Sequence, residues 1–536
     1  MLPVFFGGST MLSHRAYCIG LLLLPVLPAF GQKAAKSHGR APADSQVRAV
    51  ILPASGLATD SVQTIITRDL GFGDRVQILL PSETQSATVV VKTIGTAQGL
   101  TVSLVDPVTG AVKQQEDFPL PIVMARHDQA IADSLNGEFV LRYNARNTRM
   151  AHASAVRDSL QAAAAMKAPK LRNKEEKARY DTLVAHRNSA LAGVMAEIAT
   201  IQSEGDSDQA GRAAIQEAAI AHDVATRDSV MHVRRWALHG VSDAIEEWMT
   251  GHRGIAQSRV AYVSNGVIRV VDFDGANDHA VTSPEKAGDK AMSPSWNSDG
   301  TALVYSEMSD AGTQIALVDL ITGKSRQIAG TPRGLNITPV FSADDKWVIY
   351  ANGSDARTSL VTVRTDSVTS LKYLPLNRLF DVDEPILSPD GSRIAYVSSR
   401  PKTPQIYSSK LDGTDEIVEA PAPPKTRIYH TSPDWSPDGS MIAYQQQNGD
   451  FQVWVVNRSN HRARKLTTTG ENEDPSWAPD ARHIALTSTR GGAKAIWILD
   501  VESGNFRQLT SAGDARLAAW SGPLGSSAPT PLAVAR

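Results

Sequence analysis

The sequence predicts a multi-domain chain: a small N-terminal α/β domain interrupted by a helical, coiled-coil-like insertion, then a C-terminal six-bladed β-propeller. Two observations lead to the propeller. The stretch Pro433-Asp434-Trp435-Ser436-Pro437-Asp438-Gly439 recurs from Pro294, Pro339, Pro385 and Pro475, with a half-copy at Ala518, at steps of 45, 46, 48, 42 and 43 residues. A period in the forties built from short strands and turns marks a propeller, one four-stranded blade per repeat. An unpaired outer-strand unit, Arg259 to Ser264 followed by Val267 to Gly275, precedes all the copies and has no innermost strand, whereas the last copy has only an innermost strand. The two must pair, which closes a ring of six blades and leaves no edge.

Taken in chain order, Leu12 to Gly31 carries His14 and Arg15, then an apolar run from Ile19 to Leu27, then Ala29-Phe30-Gly31. Those are the parts of a secretory signal peptide, assigned to residues 1–31, in a run too short to anchor permanently. Met1 and Met11 both remain open as the start. The one cysteine, Cys18, would leave with the signal, so no disulfide or thiol chemistry is expected in the mature chain. A formal net charge of -2 gives nucleic acid and membrane surfaces no bulk attraction. Residues 32–46 are polar and aperiodic, as in a flexible tail.

Residues 47–123 read as strand (VRAVILP), helix (Asp60 to Leu70), strand (RVQILLP), two further strands, and a Thr109-Gly110 turn into a last strand. Residues 234–256 return to this domain as a helix from Trp236 that Gly251 stops. Between them, residues 124–233 are rich in Ala, Arg and Glu. Tyr180, Val184, Leu191, Val194, Ile198 and Ile201 sit at alternating heptad spacings, with Arg187 in one seam position. Long antiparallel helices are expected: one from about Asp128 to Met166, another ending at a turn over Ser203 to Asp208, and a third from Gln209 to about Arg235. A self-packed hairpin and a partner-binding or dimerising coiled coil both fit that pattern.

The propeller is assigned to residues 257–524, with a disordered tail at 525–536. In each repeat the P-x-W/F/L segment suits an innermost strand, Ser-Pro-Asp-Gly a type I turn, and I-A-Y-x-S the second strand. Asp299, Asp344, Asp390, Asp438 and Asp480 stand at the same bend in every complete copy, which makes them turn formers rather than catalytic carboxylates.

Three stretches together resemble the TolB family, the periplasmic propeller components of the Tol–Pal system. They are Thr64 to Leu70 with Gly73-Asp74-Arg75-Val76, the junction Asp243 to Gly251 with Arg253-Gly254-Ile255-Ala256 and Ser258 to Val263, and Met292-Ser293-Pro294-Ser295-Trp296 with the Ser-Pro-Asp-Gly copies. The resemblance spans roughly Val47 to Val123 and Arg234 to Pro523, and departs from the family at the insertion and at the tail. It implies a non-enzymatic periplasmic scaffold for envelope integrity and cell division. The implied partners are the peptidoglycan-associated outer-membrane lipoprotein Pal and the inner-membrane TolA complex, the latter through the N-terminal region. Gln32 to Gln46 does not look like the family's regulatory segment for TolA.

Ligands of propellers meet the loops entering the innermost strands. Here those loops supply Met292, Ser293, Asn336, Thr338, Asp383, Glu384, His430, Thr431, Glu473, Asp474, Arg516 and Leu517, a polar ring with apolar anchors to which the resemblance assigns Pal. No metal or cofactor is expected. The alternatives are a general ligand-binding propeller and a metal-dependent polysaccharide lyase that gathers a hard cation at Asp383, Glu384, His430, Glu473 and Asp474. A propeller peptidase fits less well still, since such enzymes carry a separate α/β-hydrolase domain and no G-x-S-x-G nucleophile elbow occurs.

Overall fold

The computed structural model describes residues 46–524, apart from 57–59, 97, 121–126, 284–287, 331–333, 355–356, 377–379, 401, 424–425 and 512. Within helices and strands, the side chains of 60, 127–140, 209, 211–230, 330, 354 and 367–370 are also not described. The expected signal peptide and C-terminal tail lie outside the described residues, as does the expected N-terminal tail up to residue 45.

The α/β domain is built on strands β1 (Val47–Ile51), β2 (Ser55–Gly56), β3 (Val76–Leu79), β4 (Val89–Gly95), β5 (Gly99–Val105) and β6 (Val112–Pro119). Their order is β3-β1-β4-β5-β6, parallel around β1 and antiparallel from β4 onward, with β2 beside β4. Helix α1 (Asp60–Phe72) presents Val62, Ile66 and Leu70, one apolar residue per turn, to this sheet. Leu238, Val241 and Ile245 of the returning helix complete the same core.

The insertion is a hairpin of α2 (His127–Ala165) and α3 (Lys174–Thr250). Asn173 caps α3 by accepting from the Glu176 amide at 2.8 Å, and Gly251 ends it in the left-handed conformation at φ 76°. At 77 residues, α3 is about 115 Å long. The heptad positions of the sequence form the seam: Ile198 and Ile201 are buried against Ala153, with Met150 and Val194 beside them. Arg187 lies on that seam and donates to the Ala163 carbonyl in the last turn of α2 at 3.1 Å.

One expectation fails here. There is no turn at Ser203 to Asp208, and the two helices expected on either side of it, together with the closing helix, are one continuous α3. The local signals do favour a break, since a helical glycine costs about 1 kcal/mol. They are outweighed from α2, where Arg149 pairs with Glu204 and Arg146 with Asp208, each at 2.9 Å. The Arg146 side chain also lies over Gly205, 3.4 Å from where a Cβ would stand.

The propeller contains six four-stranded sheets. Blades 1 to 5 start with innermost strands Lys290–Trp296, Leu335–Phe341, Val382–Leu387, Tyr429–Trp435 and Asn472–Trp477. Blade 6 joins Arg516–Trp520 to Arg259–Ser264, Val267–Asp272 and His279–Ala280, the ring closure read from the sequence. The core is distributed between blades, with one apolar cluster in each of the six gaps. Tyr262, Tyr305, Tyr350, Tyr396 and Tyr444, at equivalent places on the second strands, are buried there, and Leu486 replaces tyrosine in blade 5.

In each turn between first and second strands the aspartate accepts the amide two residues on: Thr301, Lys346, Ser392, Ser440 and Arg482 donate at 3.0–3.2 Å. The next position is left-handed in all five, occupied by Gly300, Asp345, Gly391, Gly439 and Ala481. These hydrogen bonds, led by the Ser388 hydroxyl, bring Asp390 down to about 2.

Candidate functional site

The channel mouth repeats one backbone device. Every innermost strand loses register with its neighbour, between Met292 and Ser295, Ile337 and Val340, Asp383 and Ile386, Thr431 and Asp434, Glu473 and Ser476, and Arg516 and Ala519. Each bulge holds one left-handed residue: Ser293, Thr338, Glu384, Ser432, Asp474 or Leu517, with φ of 48–56°. In five of the six the next residue is proline, which cannot donate to the ladder and so opens it there.

Four of the amides exposed by these bulges are recovered across blades. Thr338 N donates to Ser306 Oγ of blade 1 at 3.1 Å, and Ser432 N to Glu384 Oε2 of blade 3 at 2.5 Å. Asp474 N donates to Gln445 Oε1 of blade 4 at 3.0 Å, and Leu517 N to Thr487 Oγ1 of blade 5 at 3.2 Å. The mouth is therefore a preformed belt, tied blade to blade.

Part of the expected ring belongs to that belt rather than to its surface. Asn336 is fully buried, donating to the Thr313 carbonyl at 2.7 Å and accepting from Asn352 at 2.8 Å. His430 is buried with both ring nitrogens engaged, by the Ala420 carbonyl at 2.8 Å and Gln446 at 3.1 Å, and burial lowers its pKa. Leu517 is buried between blades 6 and 1. Met292, Ser293, Thr338, Asp383, Glu384, Thr431, Glu473, Asp474 and Arg516 are half-buried at the starts of the innermost strands. Burial and the neighbouring Asp474 raise the Glu473 carboxyl, against the opposing pull of Lys494 at 2.8 Å.

The α/β domain grips the opposite end of the propeller, where the Ser-Pro-Asp-Gly turns lie. Arg75 Nη2 reaches the Asp480 carboxylate at 3.7 Å, and Arg482 donates to the Asp74 carbonyl at 3.2 Å. Phe72 meets Phe273 edge to face at 5.9 Å, and the Arg507 guanidinium covers Phe72 at 4.0 Å. Asp274 of blade 6 receives Arg68 from α1 and Arg235 from α3. Behind it, His239 Nδ1 and the Ser242 hydroxyl both bond Asp69, at 2.7 and 2.9 Å. Asp243 accepts the amides of Ala256 and Gln257 at 2.7 and 2.9 Å, which fixes the chain as it enters the propeller. Burial raises that carboxyl to about 6. A side chain on Gly254 would stand 2.5 Å from Asp243, so this crossing requires glycine.

Among the described residues, three-residue His/Asp clusters with ligand-like spacing occur at this seam and not at the mouth: Asp69, His239, Asp274 and Asp74, His483, Asp500. Sequence reasoning missed both, since their members lie far apart in the chain and no spacing connects them.

The model for the TolB beta propeller domain matches residues 246–524, more than half of the sequence. The chain belongs to the TolB β-propeller family. The Tol-Pal system protein TolB of Francisella tularensis subsp. tularensis (strain FSC 198) is 25% identical over 303 residues, covering 53% of this chain and 66% of that relative. The TolB of subsp. mediasiatica (strain FSC147) is 25% identical over 299 residues, 52% of this chain and 66% of its own. The matched part of the chain thus spans just under two thirds of the length of these TolB relatives. The crystal structure of TolB from Acinetobacter baumannii superimposes with a TM-score of 0.60 at 18% identity, over 90% of this chain and 98% of that one. That likeness establishes the TolB fold.

Proposed function

We propose that this protein is a non-enzymatic periplasmic scaffold of the Tol–Pal system that docks a peptidoglycan-associated outer-membrane lipoprotein at its channel mouth. Membership of the TolB family carries this reading, and the bulge belt supports it. A ring in which four of the six bulge amides are already bonded across blades is largely preformed, which lowers the ordering cost of docking a rigid partner. The contacts of the α/β domain with blades 5 and 6 lie at the end of the propeller away from the mouth. The N-terminal region would face the inner-membrane TolA complex, and the α2–α3 hairpin offers a further surface. Of the cation set that a lyase would gather, His430 has both ring nitrogens engaged within the propeller.

The test is a pull-down from periplasmic extract with wild type and an Asp383→Lys/Glu473→Lys double variant of unchanged thermal unfolding. Wild type should recover the lipoprotein and the double variant should lose it at least tenfold. Equal recovery by both would move the interface off the mouth, and no recovery by wild type would overturn the scaffold reading.

A further inference from the structure

The seam between the α/β domain and blade 5 encloses a cavity of about 190 Å³, lined in part by Phe72, Asp74, His483, Asp500, Asn505 and Arg507. Asp74 enters it from the link between α1 and β3, where its backbone is left-handed at φ 53°. Gln46 and Arg482 both hold the Asp74 carbonyl, at 2.9 and 3.2 Å, and Asn505 donates to its Oδ1 at 3.2 Å. The carboxylate is thus aimed across the seam by groups from both domains. His483 opens the second strand of blade 5 and Asp500 ends the third, paired directly with it.

The orientation of His483 is the decisive feature. Its ring is 1% exposed, and Nδ1 is bonded to Asp480 at 2.7 Å. Nε2 points into the seam, makes no hydrogen bond, and lies 3.8 Å from Asp74 Oδ2. A carboxylate on one ring nitrogen is how metal-binding histidines are oriented, leaving the other nitrogen for the ion. Burial lowers the His483 pKa, but the Asp480 and Asp74 carboxylates outweigh it and raise the group to about 9, so a bound ion would displace the Nε2 proton. One ligand atom from each of Asp74, His483 and Asp500 lies within 4.8 Å of the others. Two ligands at about 2.0–2.1 Å from a tetrahedral ion stand roughly 3.3 Å apart, so a small inward movement would complete the set. Asp500 is bound by Arg482 at 2.9 and 2.6 Å, one bond to each oxygen, and each carboxylate oxygen can accept more than one partner.

The geometry points to a divalent transition-metal site of the zinc class, formed by Asp74, His483 and Asp500, that staples the α/β domain to blade 5. One imidazole and two carboxylates suit Zn²⁺ over Mg²⁺ or Ca²⁺, which take oxygen ligands. The remaining coordination position opens on the cavity, where water fits. The staple is independent of the Tol–Pal reading, because it concerns the end of the propeller away from the mouth.

Zn²⁺ alone, titrated into the full metal-stripped chain, should bind at one ion per chain, counted by elemental analysis after dialysis, and raise the midpoint of thermal unfolding. Mg²⁺ at the same concentration should do neither. Asp74→Asn, on a partly exposed side chain, and His483→Gln should each weaken binding at least tenfold. His239→Gln, in the other seam cluster, should leave it unchanged. Should His483→Gln fold poorly through loss of the Asp480 bond, Asp74→Asn still reads the site. Absence of stoichiometric binding, full retention in Asp74→Asn, or loss that follows His239 in place of His483 would each overturn the assignment.

Discussion

Asp434 Oδ2 on blade 4 accepts the backbone amide of Trp477 on blade 5 at 2.5 Å, which joins two innermost strands through one half-buried residue. Burial raises this group to about 7, against the opposing hydrogen bonds of Trp477, Trp435 and Ser476. Its folded pKa therefore exceeds the unfolded value of about 3.9. The bound proton contributes stability that is fully present below about pH 4 and is lost as pH rises towards 7. Asp434→Asn keeps an acceptor for Trp477 without the charge, so its unfolding midpoint should fall less than wild type's between pH 4.5 and 7.5. Parallel profiles in calorimetry would contradict this.

Ala481 occupies the left-handed turn position that glycine fills in blades 1, 3 and 4, at φ 54°. An L-residue there carries roughly 1–2 kcal/mol of strain. Ala481→Gly should stabilise the propeller by about 1 kcal/mol, the gain being trimmed by the greater freedom of unfolded glycine. Urea denaturation checks this, and a destabilised variant would show that the alanine methyl makes contacts that outweigh the strain.

Asp274 collects Arg68 and Arg235 from the α/β domain on a blade 6 carboxylate that is wholly buried. Removing one partner of a buried ion pair typically costs 3–5 kcal/mol, and the partial exposure of both arginines places this one near about 3 kcal/mol. Asp274→Ala should loosen the seam before the blades, so that a single urea transition becomes two. One unbroken transition at the wild-type midpoint would refute the role.

Ile201 is the buried centre of the α2–α3 seam. Ile201→Ala should cost the hairpin about 2–5 kcal/mol. Amide exchange in α2 should then accelerate, whereas the propeller strands keep wild-type rates. Accelerated exchange throughout the chain would show that the hairpin and propeller unfold as one unit.

Much of the fold was legible because the deciding chemistry is local. Asp438-Gly439 makes its turn with its own neighbours, and Pro433 disrupts its own ladder, so repetition of those residues announces repetition of the blade. The seam heptad of α3 was legible for the same reason. The turn at Ser203 to Asp208 was misread because Gly205 and Asp208 favour a break by themselves. Arg146, 62 residues before Asp208, supplies the pairing that holds the helix straight. At the mouth, the ring positions follow from the repeat, but the burial of Asn336 and His430 depends on Thr313, Ala420 and Gln446, which no motif marks.

The sequence by itself determined six blades, their closure by Arg516–Trp520 against Arg259–Ser264, and the placement of the α/β domain ahead of them, because turns, prolines and apolar periods act over a few residues. Only the tertiary structure decided that Asp69 meets His239 and that Arg75 meets Asp480, 170 and 405 residues apart in the chain. Such pairs depend on how two finished domains pack, and a buried charge finds its partner through space, without regard to position along the chain.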